Sequence, residues 1–72
     1  MLEGTVKWFN EKKGYGFIRP KQGREDIFVH MSDVRASGYD KLYENDIVEF
    51  EIKEDRNGKK RAYNIEAFEP LN

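Results

Sequence analysis

The sequence contains no cysteine and a single histidine in 72 residues. Without cysteine the chain can form neither a disulfide nor a thiolate nucleophile or metal ligand, and one histidine excludes a histidine metal cluster. The phosphate-binding pattern G-x-x-x-x-G-K-[ST] is also absent, and no nucleophile has a plausible base beside it. We therefore expect a protein that is not an enzyme and that uses no cofactor and no metal.

Long hydrophobic runs are absent as well. The first ten residues lack the apolar core of a secretory signal peptide, and no stretch is long enough to cross a bilayer. A chain of 72 residues has room for one domain, so we expect a single domain over residues 1–72. These observations predict a soluble, cytoplasmic and monomeric protein with no membrane partner.

The net charge is close to zero, but the charges are unevenly distributed. The 13 basic and 14 acidic side chains give a formal net charge of −1. Residues 1–24 contain six basic and two acidic side chains, residues 40–55 contain two basic and seven acidic ones, and the chain is positive again from Arg56. A segregated field of this kind attracts phosphate on one face, although any single lysine is explained as well as an ordinary solvated side chain.

Period-two alternation and turn residues predict five short strands. We place them at residues 2–10, 15–19, 26–30, 47–53 and 60–68. Pro20 ends the second strand, and Asn57-Gly58 is a strong hairpin signal before the fifth. Residues 31–45 contain no helical stripe of useful length, and we expect a long loop there with one short helical turn after Ser32 as N-cap.

Five strands with one long connection predict an all-β fold, a small five-stranded antiparallel barrel. Closure removes the edge strands that an open sheet of this size would expose. The oligonucleotide-binding (OB) barrel has this strand count, and its second and third strands form the ligand-binding face.

The predicted second and third strands alternate aliphatic and aromatic residues. The aliphatic residues Ile18, Ile27 and Val29 share one parity and are expected in the core. The opposite parity places four rings outward together: Tyr15, Phe17, Phe28 and His30. Exposed rings on adjacent strands usually mark a binding site. With lysines and arginines around them, such rings form a platform for unpaired nucleic-acid bases and their phosphates.

Three segments together resemble the bacterial cold-shock protein family. They are Gly4-Thr5-Val6-Lys7-Trp8-Phe9-Asn10, Lys13-Gly14-Tyr15-Gly16-Phe17-Ile18 and Asp26-Ile27-Phe28-Val29-His30, and the similarity extends to Ala62-Tyr63-Asn64-Ile65. Their order and spacing make the resemblance far more specific than any one motif. It implies a five-stranded barrel that binds single-stranded RNA and DNA with little sequence preference. The family's usual roles are RNA chaperone, antiterminator and cold-stress adaptation.

The resemblance also implies a set of nucleic-acid-contacting positions. These are Lys7, Trp8, Lys13, Tyr15, Phe17, Asp26, Phe28 and His30, with Tyr39 in place of a loop phenylalanine that stacks on a base. Met31 stands where many members carry an aromatic residue, which implies a softer stacking surface. The turn before the last strand departs from the family's Gly-Pro turn. Arg56, Lys59 and Lys60 are therefore alternatives for a phosphate contact, and we select Arg56 as the candidate.

Three side chains are ambiguous from the residues alone. Trp8 shares parity with Val6, so simple alternation buries both, and an outward Trp8 requires a bulge in the first strand. Asp26 fits a turn cap and an acceptor for base edges equally well. Tyr63 shares parity with Ile65, which favours packing over ligand contact.

Two other functions are compatible with a small barrel. A protein-interaction barrel would grip a proline-rich peptide with its aromatic face. Such grooves favour acidic rims, whereas Lys7, Lys13 and Arg56 are expected to flank the rings here. A ribosome-bound translation factor of the same barrel type would differ in its partner and not in its chemistry.

Overall fold

The computed structural model describes residues 1–68, in which five strands close into a barrel. The elements are β1 (Leu2–Asn10), β2 (Tyr15–Pro20), β3 (Ile27–His30), α1 (Met31–Ala36), β4 (Ile47–Glu54) and β5 (Lys60–Phe68). The order around the barrel is β1-β2-β3-β5-β4. The predicted small all-β barrel is confirmed. The prediction of one domain over residues 1–72 stays a prediction, and its last four residues, 69–72, lie outside the described residues.

One pairing in the barrel is parallel. The pairs β1–β2, β2–β3, β1–β4 and β4–β5 are antiparallel, whereas β3 and β5 run parallel, with Phe28 opposite Arg61. This contact closes the cylinder. The predicted strand boundaries are one residue off at three places, because β2 includes Pro20, β3 begins at Ile27 and β4 continues to Glu54. Proline is tolerated at the end of a strand, where a ladder hydrogen bond is not required.

The segment after β3 forms the helix α1, whose N-cap is His30 rather than Ser32. His30 has an extended backbone (φ −97°, ψ 147°), and its side chain accepts a hydrogen bond from the Ser32 amide. The prediction of Ser32 as N-cap is wrong because an imidazole nitrogen takes the acceptor role usually filled by a hydroxyl or carboxylate. No helix within residues 1–68 has the length and apolar character needed to cross a membrane.

The barrel interior is filled by the aliphatic faces of the strands and is covered by α1. Phe50 is the largest fully buried side chain, and Val34 comes from α1. The predicted inward orientation of Ile18, Ile27 and Val29 is confirmed. The buried cluster consists of Val6, Ile18, Ile27, Val29, Val34, Leu42, Val48, Phe50, Ala62 and Ile65.

A bulge in β1 turns Trp8 outward, which is the arrangement that the resemblance implied and that simple alternation did not. The register between β1 and β2 shifts between Val6 and Trp8, so that Val6 is fully buried while Trp8 is 36% exposed. Gly16 lies directly against this bulged segment. A Cβ atom at Gly16 would clash with the carbonyl oxygen of Trp8, so only glycine permits the close approach of β2 to β1.

Asp33 ties α1 to β4 and β5. Its carboxylate is nearly buried and lies 2.9 Å from Nη2 of Arg61 and 3.6 Å from Nζ of Lys53. The Arg61 contact is an ion pair that lies off the hydrogen-bond axis, and Arg61 Nε has no hydrogen-bond acceptor among residues 1–68. The helix is therefore held by attraction to two cations together with the packing of Val34.

Candidate functional site

Five rings from three adjacent strands meet on one outer face of the barrel, which we call the ring surface. They are Trp8, Tyr15, Phe17, Phe28 and His30. The strand register explains their meeting, because Phe17 lies opposite both Trp8 and Phe28, and Tyr15 lies opposite His30. Residues opposite one another on paired strands point to the same face, so the pairing brings the rings into contact.

The rings contact one another at inclined angles, from 31° for Tyr15–Phe28 to 87° for Tyr15–Phe17. Their centroids are 5.3 Å apart for Trp8–Phe17, 5.8 Å for Phe17–Phe28 and 6.2 Å for Phe28–His30, with interplanar angles of 59°, 71° and 43°. Trp8 and His30 are exposed, and the other three rings are half-buried. The predicted outward orientation is confirmed. The five side chains are therefore partly accessible to a flat partner.

An ion pair between Lys7 and Asp26 flanks the ring-bearing strands. Lys7 precedes Trp8 in β1, Asp26 directly precedes β3, and Lys7 Nζ donates to Asp26 Oδ2 at 2.9 Å. Among the hydrogen bonds within residues 1–68, the Asp26 carboxylate caps no turn. Both side chains are partly exposed, and a pair of this kind contributes only about 0–1 kcal/mol. A phosphate can therefore replace Asp26 as the partner of Lys7 at small cost.

The turn between β4 and β5 places Lys59 over Phe28. Asp55 Oδ1 accepts hydrogen bonds from the amides of Asn57 and Lys59, both at 2.9 Å, and Gly58 adopts a φ of +76°. The Asn57-Gly58 turn predicted from the sequence is confirmed. This ordered turn holds the Lys59 ammonium 5.1 Å from the centroid of the Phe28 ring, which is within the range of a cation–π contact.

The same turn forms one wall of a cleft at the edge of the ring surface. The cleft is lined by Phe17 and Phe28 together with Asp26, Lys59 and Lys60. Arg56, the candidate chosen from the sequence, is exposed in this turn and makes no cation–ring contact within residues 1–68. Lys59 was one of the three alternatives in this turn, and the sequence did not distinguish it from Arg56. The hairpin signal predicted the position of the turn. Which basic residue of the turn faces Phe28 depends on the pairing of β3 with β5, which the sequence does not show.

Lys13 and Met31 lie next to the ring surface along the chain. Lys13 is exposed in the β1–β2 turn, where its amide donates to Asn10 Oδ1 at 3.0 Å. Met31 is half-buried and directly follows His30, and its amide donates to the carbonyl oxygen of Gly14 at 2.8 Å. This bond ties the start of α1 to the turn that carries Lys13. The ligand contacts of both residues stay predictions.

Tyr39 is not part of the ring surface. It is half-buried and packs against the core, and its hydroxyl oxygen accepts a hydrogen bond from the Ala67 amide at 3.0 Å. Its hydroxyl thus links the loop after α1 to β5, and this geometry gives no support to the base-stacking role that the resemblance implied. Tyr63 is also half-buried, with Lys53 Nζ 4.9 Å from its ring centroid, in keeping with a packing role.

Comparison with known proteins gives consistent matches over almost the whole chain. Residues 2–68 match the family described as 'Cold-shock' DNA-binding domain. The chain is 50% identical over 62 residues to the major cold shock protein of Micrococcus luteus. These aligned residues are 86% of this chain and 92% of that protein. It is 49% identical over 61 residues to the cold shock-like protein CspE of Buchnera aphidicola, covering 85% and 88%.

A plant protein shows the same similarity within a longer chain. Glycine-rich protein 2 of Nicotiana sylvestris is 46% identical over 63 residues, which are 88% of this chain but 29% of that protein. The chain thus spans less than a third of this relative and nearly all of the two bacterial ones. The span matched by the family description, residues 2–68, includes every residue of the ring surface.

Proposed function

Since this chain belongs to the cold-shock domain family, we propose that it binds single-stranded RNA and DNA by stacking unpaired bases on the ring surface. Family membership supports nucleic-acid binding in cold adaptation. The ring surface supplies the mechanism, because rings that are inclined to one another leave area on which bases can stack. Every base has a π face, so binding of this kind has little sequence preference.

The observation that carries the proposal is the contact chain Trp8–Phe17–Phe28–His30, in which successive rings are 5.3–6.2 Å apart. Stacking on an aromatic side chain contributes roughly 1–3 kcal/mol per base. Three or four engaged rings therefore account for micromolar or tighter binding, about −8 kcal/mol, after ordering costs are subtracted. Lys7 and Lys59 next to the rings favour a polyanion over a peptide that needs an acidic rim.

Binding of this kind accounts for an RNA chaperone or antiterminator role without ATP. The ring surface accepts only bases that are already unstacked, so it shifts the equilibrium of a weak hairpin toward the open strand. The driving force is mass action, and the effect grows with protein concentration. We place this activity in the cytoplasm and assign it to a monomer.

The experiment is a double substitution in the middle of the ring surface, Phe17→Ala with Phe28→Ala. Both rings are half-buried on the outer face and lie outside the buried core cluster, so the variant is expected to fold. We expect it to lose at least tenfold in affinity for oligothymidine, measured by quenching of Trp8 fluorescence, and to lose hairpin melting. Tyr43→Ala is the matched control, because Tyr43 is 60% exposed and lies outside the ring surface.

The result that would overturn the proposal is a folded double variant that binds oligothymidine and opens hairpins as well as the parent and the Tyr43→Ala control. Circular dichroism establishes that each variant is folded before binding is compared.

A further inference from the structure

His30 makes two hydrogen-bonding contacts at the junction between β3 and α1. Its Nδ1 accepts from the Ser32 amide at 3.1 Å and lies 2.8 Å from Ser32 Oγ. A backbone amide can only donate, so Nδ1 is the acceptor and carries no proton. In the neutral imidazole one nitrogen is a donor and the other an acceptor. The proton of His30 is therefore on Nε2.

We propose that Ser32, through its backbone amide, is a positioning residue that fixes the Nε2–H tautomer of His30, so that the ring presents a hydrogen-bond donor to an acceptor oxygen of bound nucleic acid. This inference rests on the proposed function. The oxygen belongs to a phosphate or to a base carbonyl. Of the two, phosphate is the favoured partner of Nε2–H, because a phosphodiester oxygen can only accept a hydrogen bond. With the other tautomer, a bare nitrogen would face an oxygen that has no proton to share.

The surroundings of His30 leave the second nitrogen free for this role. His30 is exposed, and its ring lies 6.2 Å from that of Phe28 at an angle of 43°. No hydrogen bond within residues 1–68 involves Nε2. Stacking on Phe28 holds a base but leaves its backbone free to rotate, and contacts to phosphate are what fix the register of a bound strand. His30 is placed to supply such a contact beside a stacked base.

The same geometry gives His30 two separable tasks. Its inner nitrogen satisfies one of the free amides at the start of α1, and its outer nitrogen is available to the ligand. An asparagine at this position can place an amide group near Nδ1, and a glutamine can place one near Nε2. Both substitutions remove the ring, so the difference between them isolates the contribution of each nitrogen.

The first test is the tautomer of the free protein. Nitrogen-15 NMR in the alkaline range, where imidazole is neutral, distinguishes a protonated ring nitrogen from a bare one. We expect a bare Nδ1 and a protonated Nε2. Ser32→Ala removes the hydroxyl and keeps the amide, so the tautomer should stay as in the parent, because a hydroxyl can donate to a bare Nδ1 or accept from a protonated one and favours neither. A protonated Nδ1 in the parent would overturn the assignment.

The second test compares His30→Gln with His30→Asn. We expect His30→Gln to bind oligothymidine about fivefold more tightly than His30→Asn, because only glutamine carries a donor near the position of Nε2. His30→Asn should have the higher melting temperature, because asparagine retains the N-cap. Equal affinities, or tighter binding by His30→Asn, would overturn the proposal. If the parent itself fails to bind, the proposed function is wrong, while the tautomer is judged separately by NMR.

Discussion

At the scale of single residues, Lys59 combines a cation–π contact with proximity to the position of a bound phosphate. Its ammonium lies 5.1 Å from the Phe28 centroid, and a base that stacks on Phe28 brings its own phosphate into this region. The ammonium then exchanges an aromatic face for an anionic oxygen. Lys59 is therefore expected to contribute to binding chiefly through release of counterions from the nucleic acid.

We predict that Lys59→Gln weakens oligothymidine binding about three- to tenfold at low salt. The slope of log affinity against log salt concentration should fall by about 0.7, the value for one phosphate on a single strand. Arg56→Gln is the matched control, because it removes the same charge from the same turn without a ring contact. Fluorescence titrations at several salt concentrations measure both slopes. A slope for Lys59→Gln equal to that of the parent would contradict the assignment of Lys59.

Residue-scale prediction succeeded where the determinant is local. Tyr15, Phe17 and Phe28 are outward because a strand places successive side chains on opposite faces, and the sequence alone shows this alternation. The cap of α1 escaped prediction, because His30 is not among the usual capping residues. The packing contact of Tyr39 escaped prediction, because the hydrogen bond from Ala67 to its hydroxyl joins residues far apart in the chain.

At the scale of secondary-structure elements, three glutamates lie side by side on the outer face of the barrel. The register pairs Glu3 of β1 with Glu49 of β4, and Glu49 with Glu66 of β5. Like charges directly opposite one another on paired strands are destabilising. Only Glu3 of the three has a cation within ion-pair distance among residues 1–68, Lys21 at 3.5 Å. Glu49 lies between the other two, so removing its carboxylate relieves the repulsion with both Glu3 and Glu66.

We predict that Glu49→Lys raises the free energy of unfolding by about 0.5–1 kcal/mol, because it replaces two repulsive cross-strand pairs with two attractive ones. Glu54→Lys is the matched control in the same strand. Glu54 lies opposite Lys60, so the same substitution there creates a repulsive pair and should be neutral or slightly destabilising. Urea unfolding measures both variants. The gain at Glu49 should shrink at high salt, and an equal response of the two variants would rule out this explanation.

At the scale of the whole molecule, small size makes ligand binding a large part of total stability. A domain of about 60 residues buries only about 60% of the surface of its unfolded chain, so its intrinsic stability is modest. A ligand that binds the folded state at 100 times its dissociation constant adds about 2.7 kcal/mol. For a domain of this size each kcal/mol shifts the melting temperature by about 4–8 °C.

We therefore predict that oligothymidine at 100 times its dissociation constant raises the melting temperature by roughly 10–20 °C. At the same concentration the Phe17→Ala, Phe28→Ala double variant should show about half this shift or less, because a dissociation constant at least tenfold larger leaves at most about 1.4 kcal/mol of stabilisation. Thermal unfolding followed by circular dichroism gives both values. A parent protein whose melting temperature does not respond to the ligand would contradict binding to the folded barrel.

The whole-molecule features that escaped sequence analysis share one physical cause. The strand count and the inward aliphatic residues follow from local alternation and turn chemistry, whereas alternation alone buries Trp8 and does not give the bulge. The pairing of Lys7 with Asp26, the position of Lys59 over Phe28 and the docking of Asp33 on Arg61 each require two segments that meet only when the barrel closes. Their partners depend on the three-dimensional register, which no local pattern of residues specifies.

The parallel contact between β3 and β5 determines when, during synthesis, the protein becomes able to bind its ligand. β3 supplies Phe28 and His30, yet one of its flanks is covered only by the strand made last among the described residues. A nascent chain that has emerged as far as α1 can pair its first three strands but still lacks Arg61 beside Phe28 and Lys59 above it. The finished binding face therefore exists only after translation has passed β5, and a chain interrupted earlier carries the aromatic residues without the cylinder that orients them.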